Sequence, residues 1–365
     1  MTNITKLNLS HLSLIVCFSV MNAVNAAPDV KQPGPSEPSK FGLAGSEYAP
    51  GGSDQISLKT PTHIAFGPKG LEIVTDLKNN RFLYRDGPGD LLKVSPIAVR
   101  GHHSVVYNPV DSLYYANDTD NHRLISFADL SSATITAQTH KILGVPLKRP
   151  HDIVIDPATG WIYALNPNSG HVFRFSAIGK NESVLSLGKH LGGYSRSLTF
   201  ADGRLYVIGS AAGRIVEVLD WDKAQVKVYN SFKKKRSAPA GSWTKTGLVI
   251  NDAEFFNGFW YASSYFSPKY AGGTDADENK FIRFATLDDL VTGNWEDINS
   301  LVPNGLTPYY LTAREGNLYL AVFDDMKPGE GGDVILRFTP LKTPFRPPLL
   351  RSKGAFKALP PKAFS

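Results

Sequence analysis

Apolar residues in this chain come in short runs that either alternate with polar positions or consist of β-branched and aromatic side chains, separated by Gly, Asp, Asn or Pro. That spacing predicts strands, because a helix buries one face only when apolar residues return every three or four positions. The strands recur as a unit. Six segments share one outline: 61–85, 102–127, 150–175, 195–218, 250–284 and 308–338. Each has a short apolar strand, a turn at Gly, Asp or Asn, a second strand ending in an aromatic and small residues, a polar loop, and a third strand. The stretches between copies, such as "SATITAQTHKIL" (132–143) and "AQVKVYNSF" (224–232), have room for a fourth strand. Four strands at a period of roughly 40–57 residues is propeller-blade spacing.

A lone four-stranded sheet cannot cover both of its faces, whereas six arranged around an axis pack face on face and leave only short edges. The chain is therefore expected to be all-β: a six-bladed β-propeller of four-stranded antiparallel blades around a central channel, spanning 42–340. Part of the segment 28–60 is expected to supply the strand that closes the ring against the last blade. Residues 27–41 read as a flexible lead, and the proline-rich stretch 341–365 as a basic tail.

The start of the chain changes the picture of where it works. Lys6, an apolar run from Leu12 to Val24 and the small residues Val24-Asn25-Ala26 read as a cleaved signal peptide over residues 1–26. A lipoprotein reading of "LIVC" is the weaker alternative, since bulky Val16 precedes Cys17 and the apolar run continues past it. The run is too short to span a bilayer, which takes about 20 apolar residues. A secreted or periplasmic location is expected. Cys17 is the one cysteine and leaves with the leader, so disulfides, cysteine nucleophiles and Cys-based zinc sites are excluded from the mature chain.

The net charge is +6. Much of it sits in "FKKKR" (232–236) and in the tail, where Lys342, Arg346, Arg351, Lys353, Lys357 and Lys362 have no acidic neighbour. Such a tail suits contact with an anionic surface, or is simply solvated. Nothing points to a specific nucleic acid.

Aligning the copies places unlike residues at one structural position. The innermost strands begin with Thr62 and His63, His103 and Ser104, His151 and Asp152, Arg196 and Ser197, Asn251 and Asp252, and Pro308 and Tyr309. The antiparallel second strands return to the same rim at Asp76, Asp118, Asn166, Gly209 and Ser264. Polar groups drawn from distant copies to one rim are the signature of a pocket. Asp152, Asn166, Asn251 and Asp252, helped by Asp76 or Asp118, offer the oxygen-rich set calcium takes, while the histidines would suit zinc. His103 or His151 could act as a base. His63, Arg196 and Tyr309 are candidates to hold a small-molecule substrate, Arg196 through a carboxylate or phosphate. The plainer alternative for each Asp, Asn or His is a structural hydrogen bond in a turn.

The phrases "HDIVIDPATGWIYALNPNSGHVFRF" and "HSVVYNPVDSLYYANDTDNHRLISF" follow the unit of NHL propellers, and the chain resembles the group containing NHL, senescence-marker-protein, gluconolactonase and paraoxonase propellers. The resemblance implies a divalent ion, most often calcium, in the channel and hydrolysis of lactones or esters. It maps a metal-binding asparagine onto Asn166, through "PHDIVID" and "YALN", and a metal-binding aspartate onto Asn251 or Asp252, through "INDAEF". Thr62 and His63 stand where that group carries a glutamate. The function expected first is a metal-dependent hydrolase of a small ester or lactone. A non-catalytic propeller binding a ligand, glycan or protein is the second expectation, and lyase chemistry on zinc the third.

Overall fold

Short β-branched and aromatic runs joined by tight turns fold as that pattern predicts. The computed structural model describes residues 41–48, 56–87, 89–231, 248–264, 280–324 and 332–341. All of them belong to the compact unit formed by residues 37–365. Six four-stranded antiparallel sheets make a six-bladed propeller. The innermost strands are Pro61–Phe66, Val105–Asn108, Asp152–Ile155, Ser197–Ala201, Ile250–Phe256 and Thr307–Arg314, and they define blades 1 to 6 in that order. Blades 1 to 5 each add three further strands outward in sequence order. A two-stranded hairpin, Lys141–Ile142 with Val145–Pro146, lies between blades 2 and 3.

Blade 6 is closed from the other end of the chain. Its fourth strand is Leu43–Glu47, paired antiparallel with Val334–Pro340 from Leu43 opposite Pro340 to Glu47 opposite Leu336. This is the closing strand the sequence led us to expect within 28–60. Just after it, the Tyr48 hydroxyl donates to Glu72 of blade 1, which also pairs with Arg85. The Arg85 guanidinium lies over the Tyr48 ring, 4.7 Å from its centroid. The buried trio thus ties the seam of the ring to its first blade.

Between each pair of neighbouring blades lies an apolar layer. Ile73 and Phe82 of blade 1 meet Ala116 and Phe127 of blade 2. Tyr115 and Leu124 meet Phe173 and Phe175, Leu165 and Val172 meet Val207 and Val216, and Ile208 and Ile215 meet Ala262 and Ile282. Tyr261 and Phe281 meet Leu320 and Phe338, and Ala321 and Ile335 return to Ile64 and Leu83. Each large side chain so buried contributes about 1.5–3 kcal/mol, which is how a chain without disulfides holds the ring.

The turns that carry "DLKNNR" and "DTDNHR" are structural. Asp76 accepts from the Lys59 amide, Asn79 and Arg81. Asp118 accepts from the Arg100 amide, Asn121 and Arg123 in the same way. Each aspartate pins the loop entering its blade to the tip of its own hairpin. Blade 4 has Gly209 there instead, because a Cβ would lie 2.5 Å from the Leu191 carbonyl oxygen.

The expected leader (1–26), most of the expected lead, the basic stretch 232–236, residues 265–279 and the tail beyond Leu341 lie outside the described residues. No helix among the described residues is long and apolar enough to cross a membrane.

Candidate functional site

The rim where the innermost strands begin gathers side chains from four blades. His103 precedes the first strand of blade 2, His151 that of blade 3 and Arg196 that of blade 4, while Tyr309 and Tyr310 lie in that of blade 6. The His103 and His151 rings stack with centroids 3.8 Å apart, and Tyr309 stacks on Tyr310 at 4.7 Å. Arg196 Nη1 donates to the Tyr309 hydroxyl at 3.2 Å, and its guanidinium lies 5.4 Å from the centroid of Tyr194.

One hydrogen-bond knot fixes the orientation of His151. The Tyr310 hydroxyl donates to the Arg196 carbonyl oxygen at 2.7 Å, and His151 Nδ1 lies 3.0 Å from that carbonyl and 2.7 Å from the hydroxyl. A carbonyl oxygen only accepts, so a bare Nδ1 beside it would set lone pair against lone pair; Nδ1 therefore carries the proton and Nε2 is left as the acceptor. Burial, followed by the positive charge of Arg196, lowers the His151 pKa to about 3. Burial and then the neighbouring His151 and Arg196 hold His103 well below the ordinary histidine range. Both rings are neutral at physiological pH.

Deeper in the channel the chemistry turns acidic. Asp152 accepts from its own neighbour's amide, Ile153, at 2.8 Å and from Leu198 of blade 4 at 2.8 Å. Asp252 repeats the pattern with Ala253 at 2.9 Å and Leu311 of blade 6 at 2.7 Å. Each carboxylate thus stitches its blade to the next. Burial first, then repulsion from Asp252, raises the Asp152 pKa to about 8; burial raises that of Asp252 to about 6. Glu254, two residues along the same face of the strand, is raised well above the carboxylate range by burial and by both aspartates.

The sequence brought some of these residues together correctly and misplaced others. His103, His151, Arg196 and Tyr309 share the rim. His63 lies lower, beside Tyr310 with ring centroids 6.4 Å apart, and its pKa is lowered to about 4 by burial. Asn166 does not join a central set. It occupies the turn position of Asp76 and Asp118, accepting from the Lys148 amide at 3.0 Å and donating to the Pro146 carbonyl at 2.9 Å. Asn251 is fully buried, and its amide has no hydrogen-bond partner. Ser104 Oγ accepts from Asn117 Nδ2 at 2.7 Å and from the Ile153 amide at 3.1 Å.

The oxygen set that the sequence suggested for calcium is therefore not gathered as a whole at the rim. Asp76 and Asp118 face arginines and Asn166 faces the 146–148 backbone, which takes these three away from Asp152, Asn251 and Asp252. Among the described residues no three His, Asp or Glu side chains gather closely enough to hold a metal, zinc included. Glu254, Tyr194 and the linking role of Tyr310 were missed. Glu254 had a signal, since alternate residues of a strand share a face and Asp252 was already assigned to the channel.

No protein-family model and no curated protein sequence matches the chain. Solved structures do. A catalytically inactive virginiamycin B lyase variant from Staphylococcus aureus, with quinupristin, aligns with TM-score 0.52 at 13% identity, covering 81% of this chain and 99% of that one. A gluconolactonase-family propeller aligns with TM-score 0.52 at 15% identity, covering 82% and 92%. A luciferin-regenerating enzyme aligns with TM-score 0.53 at 11% identity, covering 82% and 96%. At these identities the likeness is one of fold, and that fold serves several chemistries.

Proposed function

We propose that the channel rim is a recognition site for a small molecule that presents a carbonyl or anionic oxygen. One observation carries this: His103, His151, Arg196 and Tyr309 converge there from four blades. Arg196 and, paired with Asp120 at 2.7 Å, Arg149 both bear electrostatically on the two histidines, which favours an oxygen-bearing ligand there. The neutral imidazoles supply donors and acceptors, and the stacked tyrosines supply apolar walls of the kind small-molecule sites use. The leader of residues 1–26 supports an exported setting for this activity, and the basic tail an anionic surface nearby; both belong to the same proposal.

The orientation of His151 favours a second reading, hydrolysis of a small ester or lactone. With Nδ1 bound, Nε2 would take the proton of an attacking water while Arg196 steadies the developing oxyanion. A pKa of about 3 makes His151 a weak base, which is why recognition is placed first. The gluconolactonase-family neighbour supports hydrolysis and the virginiamycin B lyase neighbour supports elimination to the same coarse degree, through a shared fold.

The two readings separate in one experiment. Benzoate is titrated into the purified protein by calorimetry, and p-nitrophenyl acetate and δ-valerolactone are assayed for turnover, with and without added calcium or zinc. Benzoate binding weakened at least tenfold in Arg196→Gln supports recognition. Turnover lost in His151→Ala, with far-ultraviolet circular dichroism unchanged, supports hydrolysis. Neither binding nor turnover by the wild-type chain would remove both, and activity appearing only with calcium or zinc would restore the metal-dependent mechanism.

A further inference from the structure

The channel's other end holds two cavities that the rim does not use. One, of about 490 Å³, is lined by Ala65, Phe66, Val105, Val106, Tyr107 and Ile155, with prolines 68, 109 and 157 at its edge. Those prolines lie in the hairpin turns between first and second strands, on the face opposite the rim. The other, of about 210 Å³, is lined by Asp152, Asp252, Glu254, Thr199 and Tyr310. His63, Val106, Ile155 and Thr312 line both, so the two adjoin as neighbouring lobes.

The lobes differ in chemistry. The larger is apolar, with Arg314 at its border pairing with Glu315 at 3.4 Å. The smaller receives carboxyls from two blades: Asp152 from blade 3, and Asp252 and Glu254 from blade 5. Blade 1 contributes His63, whose Nδ1 is buried without a partner. Blade 6 contributes Tyr310, and blades 2 and 4 contribute Val106, Leu198, Thr199 and Phe200, none of them charged. Among the described residues no lysine or arginine lines this lobe. Glu254 is held by no hydrogen bond, burial and its two acidic neighbours alone acting on it. Three carboxyls lining such a volume, without forming a metal-holding group among the described residues, suit an ammonium group, which needs acceptors on three sides.

The geometry points to a second ligand site here, for an organic cation: a primary amine whose head enters the acidic lobe while its alkyl or aryl body fills the apolar one. The space is within the roughly 300–1,000 Å³ typical of small-molecule sites. Arg196 stands at the rim and three carboxyls line this end, so the propeller presents different preferences at the two ends of one channel. Tyr310 is the shared wall, lining the acidic lobe while its hydroxyl holds His151. An ammonium favours ionised carboxyls, so uptake near neutral pH releases protons.

The test uses the full chain and 2-phenylethylamine, with 2-phenylethanol and 3-phenylpropionate as controls, by calorimetry at pH 7.5 in two buffers of different ionisation enthalpy. The expected result is one-to-one amine binding at least tenfold tighter than either control, with proton release. Glu254→Gln should weaken it at least tenfold, and Val106→Trp, which fills the wall common to both lobes, should abolish it. Wild-type protein that binds the amine no better than the alcohol overturns the proposal without recourse to any variant, and so does undiminished binding by a folded Glu254→Gln.

Discussion

The imidazoles of His103 and His151 lie face to face, 3.8 Å between centroids and 18° from parallel. Burial and then Arg196 oppose a proton on His151, and burial, then His151 and Arg196, oppose one on His103. Their folded pKa values lie below the ordinary 6.5, and those of His63 and His102 fall to about 4. Above pH 6.5 folded and unfolded chains both keep these rings neutral. Below it the unfolded chain takes up protons that the folded one refuses, so stability falls as pH drops from about 6.5 toward the folded values. Each ring adds a slope of up to about 1.4 kcal/mol per pH unit. His103→Phe keeps a flat ring in the stack and removes one such slope. Urea midpoints measured from pH 7 to 4 should fall less steeply in that variant than in wild type; equal slopes would show that the pair does not resist protonation.

Asp118 shows what the repeated turn contributes. It is completely buried and pairs with Arg123 at 2.6 Å, with Asn121 and the Arg100 amide as further donors. Asp118→Ala strands all three, and removing one partner of such a buried pair costs about 3–5 kcal/mol. Asp129 is exposed, and Asp129→Ala should change stability by less than about 0.5 kcal/mol. Chemical denaturation of the two variants side by side checks the contrast. A calcium-binding role for Asp118 predicts something different, namely a loss that appears only when calcium is present.

The same turn explains what the sequence disclosed and what it hid. Six copies of a strand pattern made the ring legible, since alternation and turn chemistry are local properties, and the closing strand followed from the ring's need to cover its last edge. The rim was legible as well: a strand start reading His, Arg or Tyr rather than an apolar residue is visible without coordinates. Partner choice was hidden. Asn166 and Asp152 look equivalent as oxygen donors, yet one turns to the 146–148 backbone and the other into the channel, and that choice depends on which loop crosses overhead. Glu254 was overlooked for a related reason. Strand alternation gave its direction, but only the packing of blades 3 and 5 brings it near Asp152.

At the seam of the ring, Arg85 and Glu72 are almost wholly buried, and Tyr48 adds one hydroxyl to the pair. Tyr48→Phe removes a single hydrogen bond to a charged group, worth about 1.5–3 kcal/mol. Arg85→Ala leaves the Glu72 carboxylate buried without its counter-ion and should cost more, about 3–5 kcal/mol. Urea unfolding of the two variants at pH 7 gives the order directly. A larger loss from Tyr48→Phe would mean that the seam depends on the Tyr48 hydroxyl bond rather than on neutralising Glu72.

Glu254 sets the alkaline side of the stability profile. Its folded pKa is raised, as are those of Asp252, to about 6, and Asp152, to about 8. Groups of this kind contribute stability that is fully present below their unfolded pKa, near 4, and is lost as pH rises through the folded values. In the unfolded chain these carboxyls give up their protons freely, whereas in the channel ionisation sets buried like charges against one another. Combined with the acid-side loss from the histidines, this places the stability maximum near pH 6 and predicts a decline from there to pH 9. Asp152 and Asp252 cannot be neutralised without disturbing the amides they hold. Glu254 has no such bond, so Glu254→Gln keeps the shape and deletes one ionisation. The variant should match wild type near pH 5 and exceed it by 1 kcal/mol or more at pH 9, about the value of one pKa unit of relieved repulsion. Thermal unfolding across that range reads the difference, and two curves that stay parallel would mean Glu254 ionises in the folded protein as easily as it does in water.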